Sequence, residues 1–189
     1  SLNGKKPRDL IDYQILISEE VLEISILDRE QKIHNITIEK DQDSNLGINF
    51  KDALFDTIKQ CNNNCPFCFI DQQPFGKRKS LYIKDDDYRL SFLYGSYLTL
   101  TNLNKEDWNR ISTQKLSPLF ISVHATDPKT RESLLKNKKA SKILEQIQWF
   151  EKNEIQIHAQ IVVCPKINDD QILEKSIYDL ARFHKKNKQ

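Results

Sequence analysis

The chain has one compact group of cysteines, in the stretch Cys61-Asn62-Asn63-Asn64-Cys65-Pro66-Phe67-Cys68-Phe69. Three thiolates at spacings of four and three residues can converge on one metal centre without a long-range contact. Thiolate is a soft ligand that suits iron–sulfur clusters or zinc. A structural zinc site needs four protein ligands. A cubane cluster held by three cysteines leaves one iron open, and this is the arrangement that catalysis requires.

The three cysteines are also compatible with less specific roles. A structural zinc centre would need the distant Cys164 or another residue as its fourth ligand. A ferredoxin-like electron carrier would need a fourth cysteine nearby. A chance grouping of reduced cysteines needs no metal at all. Because Cys164 adjoins Pro165, we interpret it as a buried small apolar residue rather than as a ligand.

Strand and helix patterns alternate after residue 50, which predicts an α/β domain with a parallel sheet in a layer or barrel. The predicted strands are 54–58, 97–101, 119–123 and 155–163. The predicted helices are 85–93, 105–113, 128–136, 140–151 and 171–185. The cysteines directly follow the first predicted strand, so we expect them at its carboxyl end, where parallel α/β folds bind ligands.

The first 50 residues have a different pattern. Residues 8–14 are a plausible helix, and the alternating segments 21–27 and 32–39 predict a β-hairpin. These elements are too few to close a core, so we expect part of a small β-rich module to be missing upstream. The chain also starts at Ser1, contains no methionine and shows about four βα units, so we expect a piece of a longer gene product.

Composition excludes several classes of function. A net charge of +2 in 189 residues is too small to indicate a nucleic-acid partner. No apolar run approaches the ~18 residues that span a bilayer, and no secretion signal is visible. Clustered cysteines are also untypical of the disulfide framework of a small secreted domain. We therefore expect a cytoplasmic protein without a membrane partner.

The cysteine stretch resembles the hallmark of the radical S-adenosylmethionine (SAM) superfamily, which is CxxxCxxC with an aromatic residue, here Phe67, before the last cysteine. The resemblance implies a 4Fe–4S cluster held by Cys61, Cys65 and Cys68, with SAM bound at the open iron. It further implies reductive cleavage of SAM to a 5′-deoxyadenosyl radical that acts on an unknown substrate. The electron would come from a donor such as ferredoxin or flavodoxin.

Segments 80–93, 97–103, 121–128 and 158–165 are similar to one subfamily, which combines an N-terminal PDZ-like domain, a radical SAM domain and a C-terminal domain of unknown function. By this resemblance, residues 1–50 are an incomplete PDZ-like α+β module. Residues 51–189 are the first part of a radical SAM domain, a partial (βα) barrel truncated after about four βα units. The alternative is a non-catalytic or truncated metal-binding scaffold with a PDZ-like interaction module.

The resemblance also suggests further cofactor contacts. Thr101 and Asn102 stand where much of the superfamily has a Gly-Gly-Glu turn that holds the amino group of SAM, and this sequence departs from that turn. Ser122 and His124 alternate on the third predicted strand, so both should point to one face. There they would contact the ribose or the methionyl carboxylate, or His124 would be a packed core histidine. Gln160 is a similar candidate on the fourth strand.

The run Asp85-Asp86-Asp87 precedes a predicted helix, and the favourable placement of acidic residues at a helix N-terminus explains it. A functional role together with the neighbouring Tyr88 and Arg89 is the alternative. Trp108 and Trp149 occupy helical positions and are predicted to be core or half-buried residues.

Overall fold

A computed structural model describes residues 1–186 of the chain, which divide into two compact units, the first Ser1–Ile58 and the second beginning at Lys59. Helices and two small two-stranded sheets make this a mixed α/β structure. Residues 187–189 of the predicted second domain lie outside the described residues. Within residues 1–186, no helix combines the length and the apolar character needed to cross a membrane.

The first unit contains one helix and one hairpin. Helix α1 is Leu10–Leu16, and it begins where the Asp9 carboxylate accepts a hydrogen bond from the Asp12 amide. Strand β1, Val21–Leu27, pairs antiparallel with β2, Ile33–Glu39, which confirms the predicted hairpin. Because side chains alternate along β1, Leu22 and Ile24 point inward and are buried. The small core of this unit consists of these two residues with Leu2, Tyr13 and Ile17.

The predicted strand at 54–58 is wrong. Leu54 forms an isolated antiparallel bridge with Asp9, and Phe55 packs against the core of the first unit. An apolar residue of the segment that suggested a strand therefore packs within the first unit instead of in a sheet. Cys61 consequently does not follow a strand. It follows Gln60, which forms an isolated antiparallel bridge with Asp85.

The sheet of the second unit is parallel, as predicted. Strand β3, Leu119–Ser122, pairs with β4, Ile157–Gln160, and Ser122 lies opposite Gln160 at the carboxyl edge. On the other side of β3, the predicted strand at 97–101 is reduced to one parallel bridge between Leu98 and Ile121. Leu100 has a φ of +62°, which turns the backbone away from the ladder. A closed or partial barrel stays a prediction.

The second unit also contains helices. They are α2 (Tyr88–Tyr94), α3 (Lys105–Thr113), α4 (Pro128–Leu135), α5 (Ile143–Lys152) and α6 (Asp170–Lys186), with 3₁₀ turns at Lys79–Tyr82 and Lys138–Lys142. Of these helices, α2 packs against β3. The Asp127 carboxylate accepts the Thr130 amide at 2.8 Å ahead of Pro128, so α4 starts as predicted.

The core of the second unit lies between its helices and β3. Leu119 and Ile121 on β3 are fully buried, as are Ile143 and Phe150 on α5. The rings of Trp108 on α3 and Trp149 on α5 meet edge to face with centroids 4.7 Å apart. Both tryptophans are half-buried, which confirms their predicted structural role.

Candidate metal centre

The three clustered cysteines lie close enough to influence one another electrostatically. Each is half-buried and free of a disulfide, and the Cys68 amide donates to the Cys65 carbonyl at 3.1 Å. Burial raises the pKa of Cys65 to about 11, and the neighbouring sulfurs of Cys61 and Cys68 contribute to the rise. Thiolates at these positions therefore need a compensating positive charge, which a bound metal would supply.

The donor set fits an iron–sulfur cluster in its chemistry. Within residues 1–186, no three Cys, His, Asp or Glu side chains converge closely enough to hold a single metal ion. In a cluster, each cysteine binds its own iron, so the thiolates do not have to meet at one point. Three neighbouring soft ligands on one short loop match this requirement.

A buried asparagine fixes the loop that carries the cysteines. The Nδ2 atom of Asn63 lies 3.2 Å from Cys61 Sγ, 2.8 Å from Thr99 Oγ1 and 3.0 Å from Thr101 Oγ1. Its Oδ1 atom accepts a hydrogen bond of 2.8 Å from Asn137 Nδ2, which follows α4. Burial raises the pKa of Cys61, and the hydrogen bonds from Asn63 oppose that effect. Asn63 thus ties Cys61 to two distant segments.

The acidic run divides into three different environments. Asp85 is exposed, whereas Asp86 is buried and accepts both the amide and the hydroxyl of Thr99 at 2.6 Å. Asp87 caps α2 and forms an ion pair of 2.7 Å with Arg89. Capping of the helix N-terminus therefore explains Asp87 but not Asp86. Asp86 instead fixes Thr99, which is a hydrogen-bond partner of Asn63 in the cysteine loop.

Arg131 on α4 is a fully buried cation beneath the site. Its guanidinium donates to four backbone carbonyls, those of Val123, Ala140, Thr99 and Ser122, at 2.6–2.9 Å. The Ser122 carbonyl lies at the carboxyl end of β3, and the Thr99 carbonyl lies in the neighbouring segment 97–101. Burial lowers the pKa of Arg131 to about 10, while the Asp86 and Cys65 charges act in the opposite direction.

The structure brings Phe67 and His124 together, with ring centroids 4.8 Å apart at 65°. The predicted alternation of Ser122 and His124 along one strand is wrong, because β3 ends at Ser122 and His124 has a φ of +62°. His124 is buried, and its Nδ1 accepts the Val162 amide at 3.2 Å. Burial, with a contribution from Arg131, lowers the pKa of His124 to about 4.

Thr101 and Asn102 lie against the base of the cysteine loop. Thr101 donates to Asn62 Oδ1 at 2.8 Å, and Asn102 donates to the carbonyls of Asp86 and Gln60 at 3.0 and 3.1 Å. The Oδ1 atom of Asn102 is buried, and it has no hydrogen-bond partner among the described residues. A buried acceptor without a donor is costly, so this oxygen is a candidate contact for a bound ligand.

Cys164 lies nearer to the site than its sequence position indicated. Together with Cys65 and Phe67, it packs against the apolar cluster of Leu134, Leu135 and Ala140. Cys164 is half-buried, so the prediction of a buried apolar residue is confirmed only in part. Burial also raises the pKa of this thiol.

Several residues of the site were not predicted. They are Asn63, Lys84, Thr99, Arg131 and Asn137, and all except Asn63 are distant in sequence from the cysteines. The polar run between Cys61 and Cys65 was a visible signal for Asn63. Arg131 has the sequence pattern of an ordinary exposed helix charge, so no signal in the sequence distinguished it.

Comparison with known families is consistent with this geometry. The radical SAM-like domain family matches residues 40–189, which is more than half of the chain. The chain belongs to this radical SAM-like family. No curated protein matches it. The matched range of the radical SAM-like domain includes all three clustered cysteines, the Asn63 contacts and Arg131, and it begins within the last part of the first unit. The domain limits 1–50 and 51–189 stay predictions.

Proposed function

We propose that this radical SAM-like chain binds a 4Fe–4S cluster through Cys61, Cys65 and Cys68 and cleaves SAM reductively, acting on a substrate still to be identified. The observation that supports the proposal is the grouping of three free thiols on one loop, where Asn63 contacts Cys61 Sγ at 3.2 Å and the sulfurs of Cys61 and Cys68 both act on Cys65. The loop also contacts Thr99 and Thr101, at the carboxyl end of a segment that runs parallel to β3. This is the edge at which parallel α/β folds bind ligands.

When bound, the cluster supplies the electron for cleavage of SAM, and ferredoxin or flavodoxin is the proposed source of that electron. The protein's own residues would hold and orient the cluster and SAM. Asn63 positions Cys61, and the unpartnered Oδ1 of Asn102 offers an acceptor to the amino group of SAM. Phe67 packs against the same apolar cluster as Cys65 and meets the His124 ring edge to face, while Ser122 and Gln160 lie opposite each other at the carboxyl edge of the sheet.

Anaerobic reconstitution tests the cluster. We expect about four irons and four sulfides per chain, and an EPR spectrum of the reduced protein that changes when SAM is added. Cys65→Ala should abolish this spectrum. Cys164→Ala is the matched control, because Cys164 packs against the same apolar cluster. Full cluster content in Cys65→Ala would contradict the proposal.

The proposed amino-group contact needs its own test. Asn102→Ala should keep the iron content of the wild type but bind SAM about 10- to 150-fold more weakly, because one charge-assisted hydrogen bond contributes roughly 1.5–3 kcal/mol. Equilibrium dialysis with the loaded protein measures the affinity. Asn109→Ala, which changes an exposed asparagine on α3, is the control. Equal affinity in the two variants would remove Asn102 from the binding site.

A non-catalytic metal scaffold is the second candidate function. Cys164, which packs against the same apolar cluster as Cys65, is its candidate fourth ligand for zinc. A zinc site would require the cysteines to move together, because no three such side chains in residues 1–186 converge on one point. Bound zinc that is lost in Cys164→Ala as well as in Cys65→Ala would establish this alternative.

We also propose that the first unit is part of a PDZ-like module and the second part of a (βα) barrel. The helix and hairpin of residues 1–58 and the parallel pairing of β3 with β4 are compatible with these folds. PDZ-like modules capture peptides along a strand edge. Binding of C-terminal peptides to the chain would support an interaction role for the first unit.

A further inference from the structure

Lys84 and Asp71 lie on the two sides of the cysteine stretch. The Lys84 carbonyl accepts the Cys61 amide at 2.8 Å, and the next residue, Asp85, forms the bridge with Gln60. Asp71 follows Cys68 in a series of turns, in which the Gln72 amide donates to the Cys68 carbonyl at 3.2 Å. Lys84 is therefore held beside the first cysteine, and Asp71 beside the last.

The side chains of Lys84 and Asp71 close this loop as an ion pair. Lys84 Nζ lies 2.5 Å from Asp71 Oδ2, and 21% of the Lys84 side chain and 43% of the Asp71 side chain are exposed. Lys84, with a smaller contribution from a hydrogen bond to Cys68, holds the pKa of Asp71 below its ordinary value. Asp71 in turn raises the pKa of Lys84. The pair thus brings one positive and one negative charge to the cysteine loop.

The positive charge reaches all three cysteines. The Lys84 ammonium favours the thiolate form of Cys61 and of Cys65, and the negative charges of Cys68 and Cys61 favour the ammonium. Arg131 also acts on Cys65, from the buried side of the site. Fixed charges beside an iron–sulfur cluster change its reduction potential, because reduction adds negative charge.

We propose that the Lys84–Asp71 pair tunes the reduction potential of the cluster, Lys84 shifting it upward and Asp71 downward. The inference rests on the proposed function, because it requires a cluster on Cys61, Cys65 and Cys68. Both residues are positioning residues, since they act through the charges around the thiolates. If the ion pair were merely structural, neutralising Lys84 and neutralising Asp71 would not shift the reduction potential in opposite directions.

Potentiometric titration followed by EPR tests this inference on the reconstituted chain. Lys84→Met should shift the midpoint potential downward, and Asp71→Asn should shift it upward. The double variant should return toward the wild-type value, because both charges are then absent. Lys84→Arg keeps the positive charge and should keep the wild-type potential.

A matched control uses an ion pair at the opposite edge of the sheet. Lys115 precedes β3 and lies 3.6 Å from Glu154, which precedes β4. Lys115→Met removes the same charge as Lys84→Met and should leave the potential unchanged.

Two results would overturn the inference while the proposed function stands. In the first, Lys84→Met and Asp71→Asn shift the potential of a fully loaded cluster in the same direction. In the second, the loaded variants have the wild-type potential. A wild-type chain that takes up no iron would overturn the proposed function, and the inference with it. Iron content of each variant, measured before the titration, separates these outcomes.

Discussion

The hydroxyl oxygen of Thr101 lies 3.0 Å from Asn63 Nδ2 and 3.2 Å from Asn63 Oδ1, although the two residues are 38 positions apart in the sequence. This contact joins the loop between Cys61 and Cys65 to the carboxyl end of the segment beside β3. Because Thr101 also donates to Asn62, one hydroxyl fixes two residues of the loop. The positions of the cysteines therefore depend on a polar contact as well as on their spacing.

Asn63→Ala should loosen the cysteine loop without unfolding the chain. The substitution removes a buried partner of Thr99 and Thr101, and we expect the free energy of unfolding to fall by about 1–3 kcal/mol. Iron content after reconstitution should fall as well. Denaturant unfolding and iron analysis measure the two effects. Asn64→Ala changes an exposed neighbour and serves as the control, so equal losses in both variants would refute a specific role for Asn63.

Arg131→Met should be among the most destabilising changes in the second unit. It leaves four buried carbonyls without their charged donor, so we expect a loss of about 3 kcal/mol or more in the free energy of unfolding. Arg131→Lys should recover only part of this loss, because an ammonium has fewer donors than a guanidinium. Denaturant unfolding is the measurement. Arg182→Met, on the exposed side of α6, should have little effect.

Acid should destabilise the fold through His124. The unfolded chain binds a proton near the ordinary pKa of 6.5, whereas burial lowers the pKa of His124 to about 4 in the folded state. The unfolded state therefore holds more protons between these values, and stability falls as the pH drops from about 6.5 to about 4. The total effect is up to roughly 3 kcal/mol.

This pH dependence can be assigned to one residue by comparing two proteins. We expect His124→Gln to have a smaller loss of unfolding free energy than the wild type over the same pH range, both measured without metal. NMR titration of the His124 ring gives the folded-state pKa directly. A ring that titrates near its ordinary value would contradict the prediction.

Gly95→Ala should destabilise the junction between α2 and the sheet. Gly95 ends α2 with a φ of +76°, and a Cβ atom there would lie 3.4 Å from the Phe120 ring. Gly76 has a φ of +78° but open space where a Cβ atom would lie, so Gly76→Ala isolates the backbone effect of about 1–2 kcal/mol. We expect Gly95→Ala to lose more stability than Gly76→Ala in thermal unfolding. Equal losses would show that Phe120 yields without strain.

Local patterns were sufficient for much of the fold. Alternation of apolar residues predicted the hairpin of β1 and β2, and the Asp127-Pro128 pair predicted the start of α4. These signals act over a few residues, so they persist in any tertiary context that leaves the segment intact. Segments 54–58 and 97–101 show the limit of such signals. Phe55 packs into the first unit, and Leu100 leaves the ladder at a positive φ.

The sequence by itself determined the candidate ligands, since the spacing of Cys61, Cys65 and Cys68 is local and thiolate chemistry is specific. Only the tertiary structure decided what surrounds them. Arg131 and Lys84 reach the cysteines through backbone and charge contacts between distant segments, and such contacts have no periodic pattern along the chain. Burial, which lowers the pKa of His124 and isolates Asn102 Oδ1, is likewise a property of the folded chain, because it depends on which segments exclude water together.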